Sequence, residues 1–260
     1  MKGVAKMTET AGLSGGRFGG RVVLITGASR GLGKAIALAF AREGADLALC
    51  SRHPEDLETV RREAEAWGRR CLILPVDMGR RQDVERLAAQ VFEAFGRVDV
   101  LINNASELGP TPMPYLVDTP PDWLERVLAT NLTGPFLLTR AILGNMLARG
   151  GGSVINVTSD AAVEAYPTWG AYGVSKAGLE AMTRIWAAEL AGSGVRVNCV
   201  DPGEMNTQMH AAAIPDADPS TLAEPEDVVG VFLHLAAEGS CETGQRLEAQ
   251  CWRKGEEQRA

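Results

Sequence analysis

The sequence predicts an α/β protein built on one doubly wound, seven-stranded parallel sheet flanked by helices on both faces. Two observations predict it. Short β-branched runs alternate with longer helical patterns along most of the 260 residues, the signature of βαβ units whose sheet is buried on both sides. No internal repeat and no Pro/Gly/Ser-rich linker divides the chain, so its 45% hydrophobic content is enough for one sizeable core.

The elements follow in order. RVVLIT (21–26) is the first strand, and helix 32–43 starts a short glycine-rich turn later. ADLALC (45–50) is the second strand, followed by helix 54–67, and CLILPV (71–76) is the third, followed by helix 80–95. VDVLIN (98–103) leads through a loop into the longest helix, 120–148. GSVINVT (152–158) precedes helix 171–191, GVRVNCV (194–200) precedes helix 225–238, and a weaker seventh strand lies near GQRLEA (244–249). The domain is therefore expected over 21–250, with a flexible leader at 1–20 and a tail at 251–260. The leader has no apolar run that would serve as a signal-peptide core, and no stretch of uninterrupted apolar residues approaches the length of a membrane span.

Charge and cysteine usage exclude several function classes. With 26 basic against 33 acidic residues the net charge is -7, which repels a phosphate backbone, and no basic run overrides it; no nucleic-acid partner is expected. Five cysteines (Cys50, Cys71, Cys199, Cys241 and Cys251) are far apart, with no CxxC or Cys/His spacing. No metal site is expected, and reduced thiols in a cytoplasmic protein are the simpler reading.

The first strand runs into TGASRGLGKAIALAF, which spaces Gly27, Gly31 and Gly33 as GxxxGxG around Ser29, Arg30 and Leu32. Glycines between an apolar strand and an amphipathic helix let the backbone approach a pyrophosphate, whose charge the helix amides then meet. An NAD site places Asp or Glu about twenty residues further on, against the ribose hydroxyls. Here that place reads Ser51 and Arg52, with no acid before Glu55. Arg30 and Arg52 suit a 2′-phosphate that a carboxylate would repel, so NADP(H) is favoured over NAD(H). Two solvated surface arginines are the plain alternative.

AYGVSKAGLE (171–180) sets Tyr172 and Lys176 one helical turn apart, with Ser159 thirteen residues upstream of the tyrosine and Asn131 inside the long helix. Together, TGASRGLG, NNAS, Asn131, Ser159, YGVSK and DPGEMNT resemble the short-chain dehydrogenase/reductase family in its single-domain, Rossmann-type form, over roughly residues 20 to 248. The resemblance implies that Tyr172 is the general acid of carbonyl reduction. A free phenol titrates near ~10, and the Lys176 ammonium is expected to lower that value. It further implies that Lys176 holds the nicotinamide ribose, that Ser159 orients the substrate oxygen and that Asn131 holds a relay water. By the same resemblance Asp77, beside Met78, contacts the adenine, while Asn103, Asn104 and Ala105 lie along the cofactor. Thr207 meets the carboxamide, and Pro202 and Gly203 shape the backbone around the ring.

Two departures stand out: Ser106 replaces the usual last glycine of NNAG, and the C-terminus lacks the common Asp-Gly-Gly ending. The implied substrate walls are Glu107, Leu108, Met113 and Tyr115, then Ala161, Tyr166 and Trp169, then Met205, Met209 and His210. They suggest a partly apolar carbonyl or alcohol substrate. A homodimer or homotetramer through helices 120–148 and 171–191 is the family's habit. The rival function is a cofactor-binding sensor or scaffold without turnover, against which the joint presence of Ser159 and Tyr172 argues.

Overall fold

The computed structural model describes residues 16–252. Its sheet contains β1 (Val22–Thr26), β2 (Asp46–Ser51), β3 (Cys71–Pro75), β4 (Val100–Asn103), β5 (Gly152–Val157), β6 (Val195–Asp201) and β7 (Arg246–Glu248). All neighbours are parallel, in the order β3-β2-β1-β4-β5-β6-β7. Side chains on β1 alternate between two cores, as a pleated strand requires: Val23 and Ile25 enter one, Leu24 the other.

The first core is closed by Ile36 and Phe40 of α1 (Gly31–Arg42), by Leu57 and Val60 of α2 (Pro54–Ala66), and by a C-terminal helix, Gly230–Ala236. The second is closed by Leu87 and Val91 of α3 (Arg81–Phe95) and by two of the longer helices described next. Each expected strand and helix is present, with ends displaced by a few residues.

The longest helix is not uniform. It begins as α4 (Pro121–Leu128), widens into a π turn at Ala129–Thr133, and continues as α5 (Gly134–Ala148). At the junction a Cβ on Gly134 would overlap the Met78 carbonyl oxygen, so the helix lies directly on the backbone after β3. Its 28 residues are long and apolar enough to cross a membrane by length and composition, although Asp122, Glu125, Arg126 and Arg140 interrupt the apolar run. Leu138, Ile142 and Met146 are nevertheless fully buried in the second core, which accounts for the apolar pattern by packing. They meet Trp186 and Ala187 of α6 (Gly170–Glu189) there. Two further helices complete the set: α7 (Gln208–Ala213), which the sequence did not suggest, and α8 (Gly230–Ala236).

Both domain boundaries move outward. Phe18, placed by expectation in the leader, is fully buried, with its ring 4.8 Å from Phe40 in an edge-to-face contact. Its amide donates to Glu43 O at 2.8 Å. Residues 16–20 thus belong to the fold, and the rest of the expected leader lies outside the described residues. At the other end Trp252 lies 5.5 Å from the His234 ring; the expected tail beyond it is likewise outside the described residues. The weak seventh strand is held by charge: Arg246 reaches Asp201 at 2.6 Å, Glu180 at 3.0 Å and Glu248 at 2.9 Å.

The buried position of Phe18 yields a stability prediction. Phe18→Ala lowers the unfolding free energy by about 3 kcal/mol, the usual cost of emptying a buried aromatic site, read as a lower urea midpoint at unchanged slope. A midpoint within error of the parent would return residues 16–20 to the leader.

Candidate active site

The loops leaving the carboxyl ends of β1 to β6 enclose a cleft of about 830 Å³. Its floor is the glycine loop. Gly31 has φ +51, in the left-handed region that glycine tolerates, and a Cβ on Gly33 would overlap the Gly27 carbonyl. The Asn104 amide donates to Thr26 O at 2.9 Å and Gly27 O at 3.0 Å, and Thr26 Oγ1 accepts the Asn104 and Ala105 N–H groups, each at 3.0 Å. Arg30 provides no side-chain cap for α1. The first-turn amides of α1 therefore have no side-chain acceptor from the cap and open toward the cleft, a fit for a pyrophosphate.

Ser29, Arg30, Leu32, Ser51, Arg52, Asp77, Met78, Ala105, Pro202, Gly203 and Thr207 all border this cleft. Their local roles vary. Arg30 donates to Gln208 Oε1 at 2.6 Å, and Arg52 bonds Glu107 Oε2 at 2.9 Å across the cleft. Ser51 closes the turn after β2 through His53 O at 2.8 Å. Asp77 accepts the Gly79 N–H at 2.9 Å, and Thr207 Oγ1 caps α7 through the His210 N–H at 3.2 Å. Asn103 departs from expectation: it does not border the cleft. Its amide is buried under the sheet end, donating to Asn156 Oδ1 at 2.8 Å and Thr139 Oγ1 at 3.1 Å. A residue that completes a strand alternates away from the crevice its neighbour faces.

α6 places Tyr172 and Lys176 side by side, with 8% and 2% of their surfaces exposed. Lys176 Nζ donates to Val157 O at 2.8 Å and lies 5.4 Å from the Tyr172 ring centre. Ser159 caps a short 3₁₀ turn (Asp160–Ala162), its hydroxyl donating to Asp160 Oδ1 at 2.8 Å. Gly173 lets α6 approach that turn, since a Cβ there would stand 2.7 Å from Ala161 O. The Trp169 ring meets Tyr172 edge-on at 5.7 Å.

The electrostatics correct one expectation. Burial pushes the Tyr172 phenol up to about 12; hydrogen bonding from Ser106, then from Ser159, opposes the rise, while Asp201 and Asp160 add to it. Burial likewise lowers Lys176 to about 8, opposed by the charge of Asp201. In the protein alone, desolvation is the largest influence on both groups.

Asn131 is clamped by its neighbours. It is 1% exposed and sits in the π turn. Its Oδ1 accepts Glu107 N–H at 2.8 Å, while its Nδ2 donates to Glu107 O and to Ser175 Oγ, both at 2.9 Å. Both amide protons are used, and Oδ1 is also within 3.4 Å of Ser106 Oγ. The side chain is thereby committed to protein partners. Ser175 Oγ in turn donates to the Tyr172 carbonyl at 2.6 Å.

Among the expected substrate walls, Glu107, Leu108, Tyr166, Trp169, Met205, Met209 and His210 border the cleft. Met113 and Ala161 instead support it from behind, packed with Leu108 and Tyr172, and Tyr115 is 61% exposed outside it. Sequence reading missed Asp160, which accepts the Tyr166 hydroxyl at 2.8 Å. Adjacency to Ser159 was the signal available.

Comparison with known proteins follows the same lines. The family model described as short chain dehydrogenase matches residues 21–218. A 3-oxoacyl-[acyl-carrier-protein] reductase of Thermotoga maritima is 36% identical over 238 residues, 88% of this chain and 96% of its own. A short chain dehydrogenase structure from Pseudomonas syringae superimposes with a TM-score of 0.86 at 36% identity, covering 91% of this chain and 97% of that one. One from Shigella flexneri, complexed with NADP, gives 0.85 at 30% identity, covering 91% and 100%.

The buried ammonium sets a pH dependence of stability. Between its ordinary 10.5 and about 8, Lys176 is neutral in the fold while the unfolded chain binds the proton. Its contribution is therefore fully present above pH 10.5, is lost as the pH falls to 8, and is constant below. Wild type gains on Lys176→Met by on the order of 3 kcal/mol as the pH rises through that window, measured by urea unfolding at each pH. A pH-independent difference would refute the burial of the charge.

Proposed function

Because this chain belongs to the short-chain dehydrogenase family of oxidoreductases, we propose that it transfers a hydride between NADP(H) and a carbonyl or secondary alcohol, with Tyr172 as general acid and base. The observation that carries this reading is the convergence of Ser159, Tyr172 and Lys176 on the cleft whose floor is the glycine loop.

When bound, the nicotinamide supplies or accepts the hydride. The chain's own residues do the rest. Tyr172 Oη gives its proton to the carbonyl oxygen as that oxygen gains charge, and takes it back from an alcohol in the reverse direction. The Ser159 hydroxyl, which donates to Asp160 Oδ1 in the protein alone, would turn to donate to the same oxygen and orient it. The Lys176 ammonium, held by Val157 O at 2.8 Å, stabilises the phenolate from within the low-dielectric wall. Gly27, Gly31 and Gly33 with the α1 amides hold the pyrophosphate; Asn104 and Ala105 carry the loop beside it.

Support for NADP(H) over NAD(H) comes from Ser51 and Arg52 at the end of β2, where no carboxylate stands, and from the relative crystallised with NADP. A 2′-phosphate would compete with Glu107 for Arg52. Asp77 and Met78 fit the adenine side, and Thr207 and Pro202 the nicotinamide side. The apolar walls suit a 3-oxoacyl thioester, the class named for the Thermotoga relative, or another partly apolar ketone. Exposed Phe136, Leu147, Val174 and Ile185 on α5 and α6 suit packing against a second copy. Five free thiols suit a cytoplasmic setting.

The deciding experiment follows NADPH and NADH oxidation over 3-oxoacyl thioesters, other ketones, aldehydes and quinones. Tyr172→Phe is expected to lower kcat about 10²- to 10⁴-fold with NADPH affinity retained. Arg52→Asp should reduce the NADPH:NADH preference about 10- to 100-fold, the equivalent of a charge-assisted hydrogen bond. Turnover that survives Tyr172→Phe, or nucleotide preference indifferent to Arg52, would refute the corresponding part.

A further inference from the structure

Of the two arginines beside the cleft, Arg30 donates to a neutral acceptor, Gln208 Oε1, whereas Arg52 is engaged by a carboxylate. That carboxylate belongs to Glu107, expected from the sequence to wall the substrate and instead turned toward the end of β2, with its Oε2 2.9 Å from Arg52 Nη1. The two residues leave β2 and β4, the strands on either side of β1. Their ion pair therefore joins the two banks of the cleft whose floor is the glycine loop.

A second guanidinium stands behind the same oxygen. Arg126 Nε, on α4, lies 3.7 Å from Glu107 Oε2, just outside hydrogen-bond range, and its guanidinium lies 5.7 Å from the Trp123 ring centre. The Glu107 backbone is not free to follow either arginine, because Asn131 accepts its N–H at 2.8 Å and donates to its carbonyl at 2.9 Å. Only the side chain can change partner. That side chain is 16% exposed, against 42% for Arg52 and 49% for Arg126. A carboxylate so far withdrawn from water needs a cation beside it, so a Glu107 that gives up Arg52 depends on Arg126.

We propose that Glu107 sets the affinity for the cofactor's 2′-phosphate: it pairs with Arg52 in the protein alone and passes to Arg126 when a 2′-phosphate takes Arg52. Glu107 is thus a positioning residue acting through Arg52, and Arg126 is the receiver that keeps its charge compensated. The step is an exchange of ion pairs, two guanidinium groups serving two anions, with no proton moved. A nucleotide without the 2′-phosphate leaves the Arg52–Glu107 pair intact, so Glu107 narrows the preference that Arg52 creates. This rests on the reading of Arg52 as the 2′-phosphate partner.

The test is calorimetric titration of the protein with adenosine 2′,5′-bisphosphate, and with adenosine 5′-monophosphate as the matched probe lacking the 2′-phosphate. Glu107→Gln and Glu107→Ala should each tighten the bisphosphate about five- to ten-fold, between the worth of an exposed ion pair and that of a charge-assisted hydrogen bond, and leave the monophosphate within about two-fold. Either variant serves if the other fails to fold. A loss of negative charge alone would produce the same tightening, so the exchange is read from a double-mutant cycle. Arg126→Ala should weaken the bisphosphate about three-fold in the parent and leave it unchanged in Glu107→Gln. Equal weakening in both backgrounds would overturn the exchange. A parent that prefers the bisphosphate, yet is indifferent to both Glu107 substitutions, would remove this proposal and leave the NADP(H) reading standing; a parent that binds the two probes equally would remove both.

Discussion

β1 and β4 lie side by side in the sheet, yet the helices that follow them pack on opposite faces: α1 in the first core, α5 in the second. Parallel strands whose connections diverge in this way cannot cover the ground between their carboxyl ends, and a crevice is left at the switch point. Every functional side chain described above reaches that crevice or supports one that does. The glycine loop leaves β1 on one side, the Asn104–Glu107 segment leaves β4 on the other, and the Asn104 amide bonds the two together. Winding order therefore comes before chemistry in this molecule.

The second constraint is the satisfaction of buried polar groups, since an unpaired one costs more than a typical hydrogen bond returns. Asn103 donates to Asn156, whose amide reaches Thr183 on α6. Asn131 is held by Glu107 and Ser175, and Lys176 ends on the Val157 carbonyl. The Asn156–Thr183 and Lys176–Val157 bonds tie α6 to β5, and Asn131 ties the π turn to α6 and to the segment after β4, so the helix that carries Tyr172 has its height and rotation set by polar contacts as well as packing. Arg246 adds a third tie, bridging β7 to Asp201 on β6 and Glu180 on α6. A C-terminus without the common family ending is secured in this way to the same helix.

Burial also governs proton chemistry here. Desolvation moves Tyr172 and Lys176 toward their neutral forms, and the neighbouring hydroxyls of Ser106 and Ser159 act in the opposite direction on the phenol. An active-site acid held above its ordinary range keeps its proton until charge develops on a substrate oxygen, which suits the donor role. Across the cleft, Arg52 and Glu107 form the ion pair that a bound phosphate would contest.

Much of this was legible in the chain. Seven apolar strand segments, the TGASRGLG turn and the four-residue spacing of Tyr172 and Lys176 are local patterns, and hydrophobic periodicity with helix geometry converts them into elements and faces. What only the tertiary structure decided are matters of distance between segments remote in sequence. Asn103 falls under the sheet end while Asn104 faces the cleft, because strand alternation continues to the last residue of β4. The π turn at Asn131 forms where the long helix rests on the Met78 backbone, a contact no local pattern announces. Phe18 enters the core because α1 offers Phe40 to it, and Ser106 acquires Asn131 as a neighbour only when the π turn meets the segment after β4. Local spacing determined the elements and the residue types; the balance of desolvation against hydrogen bonding, which sets their protonation and their partners, exists only once the chain has folded.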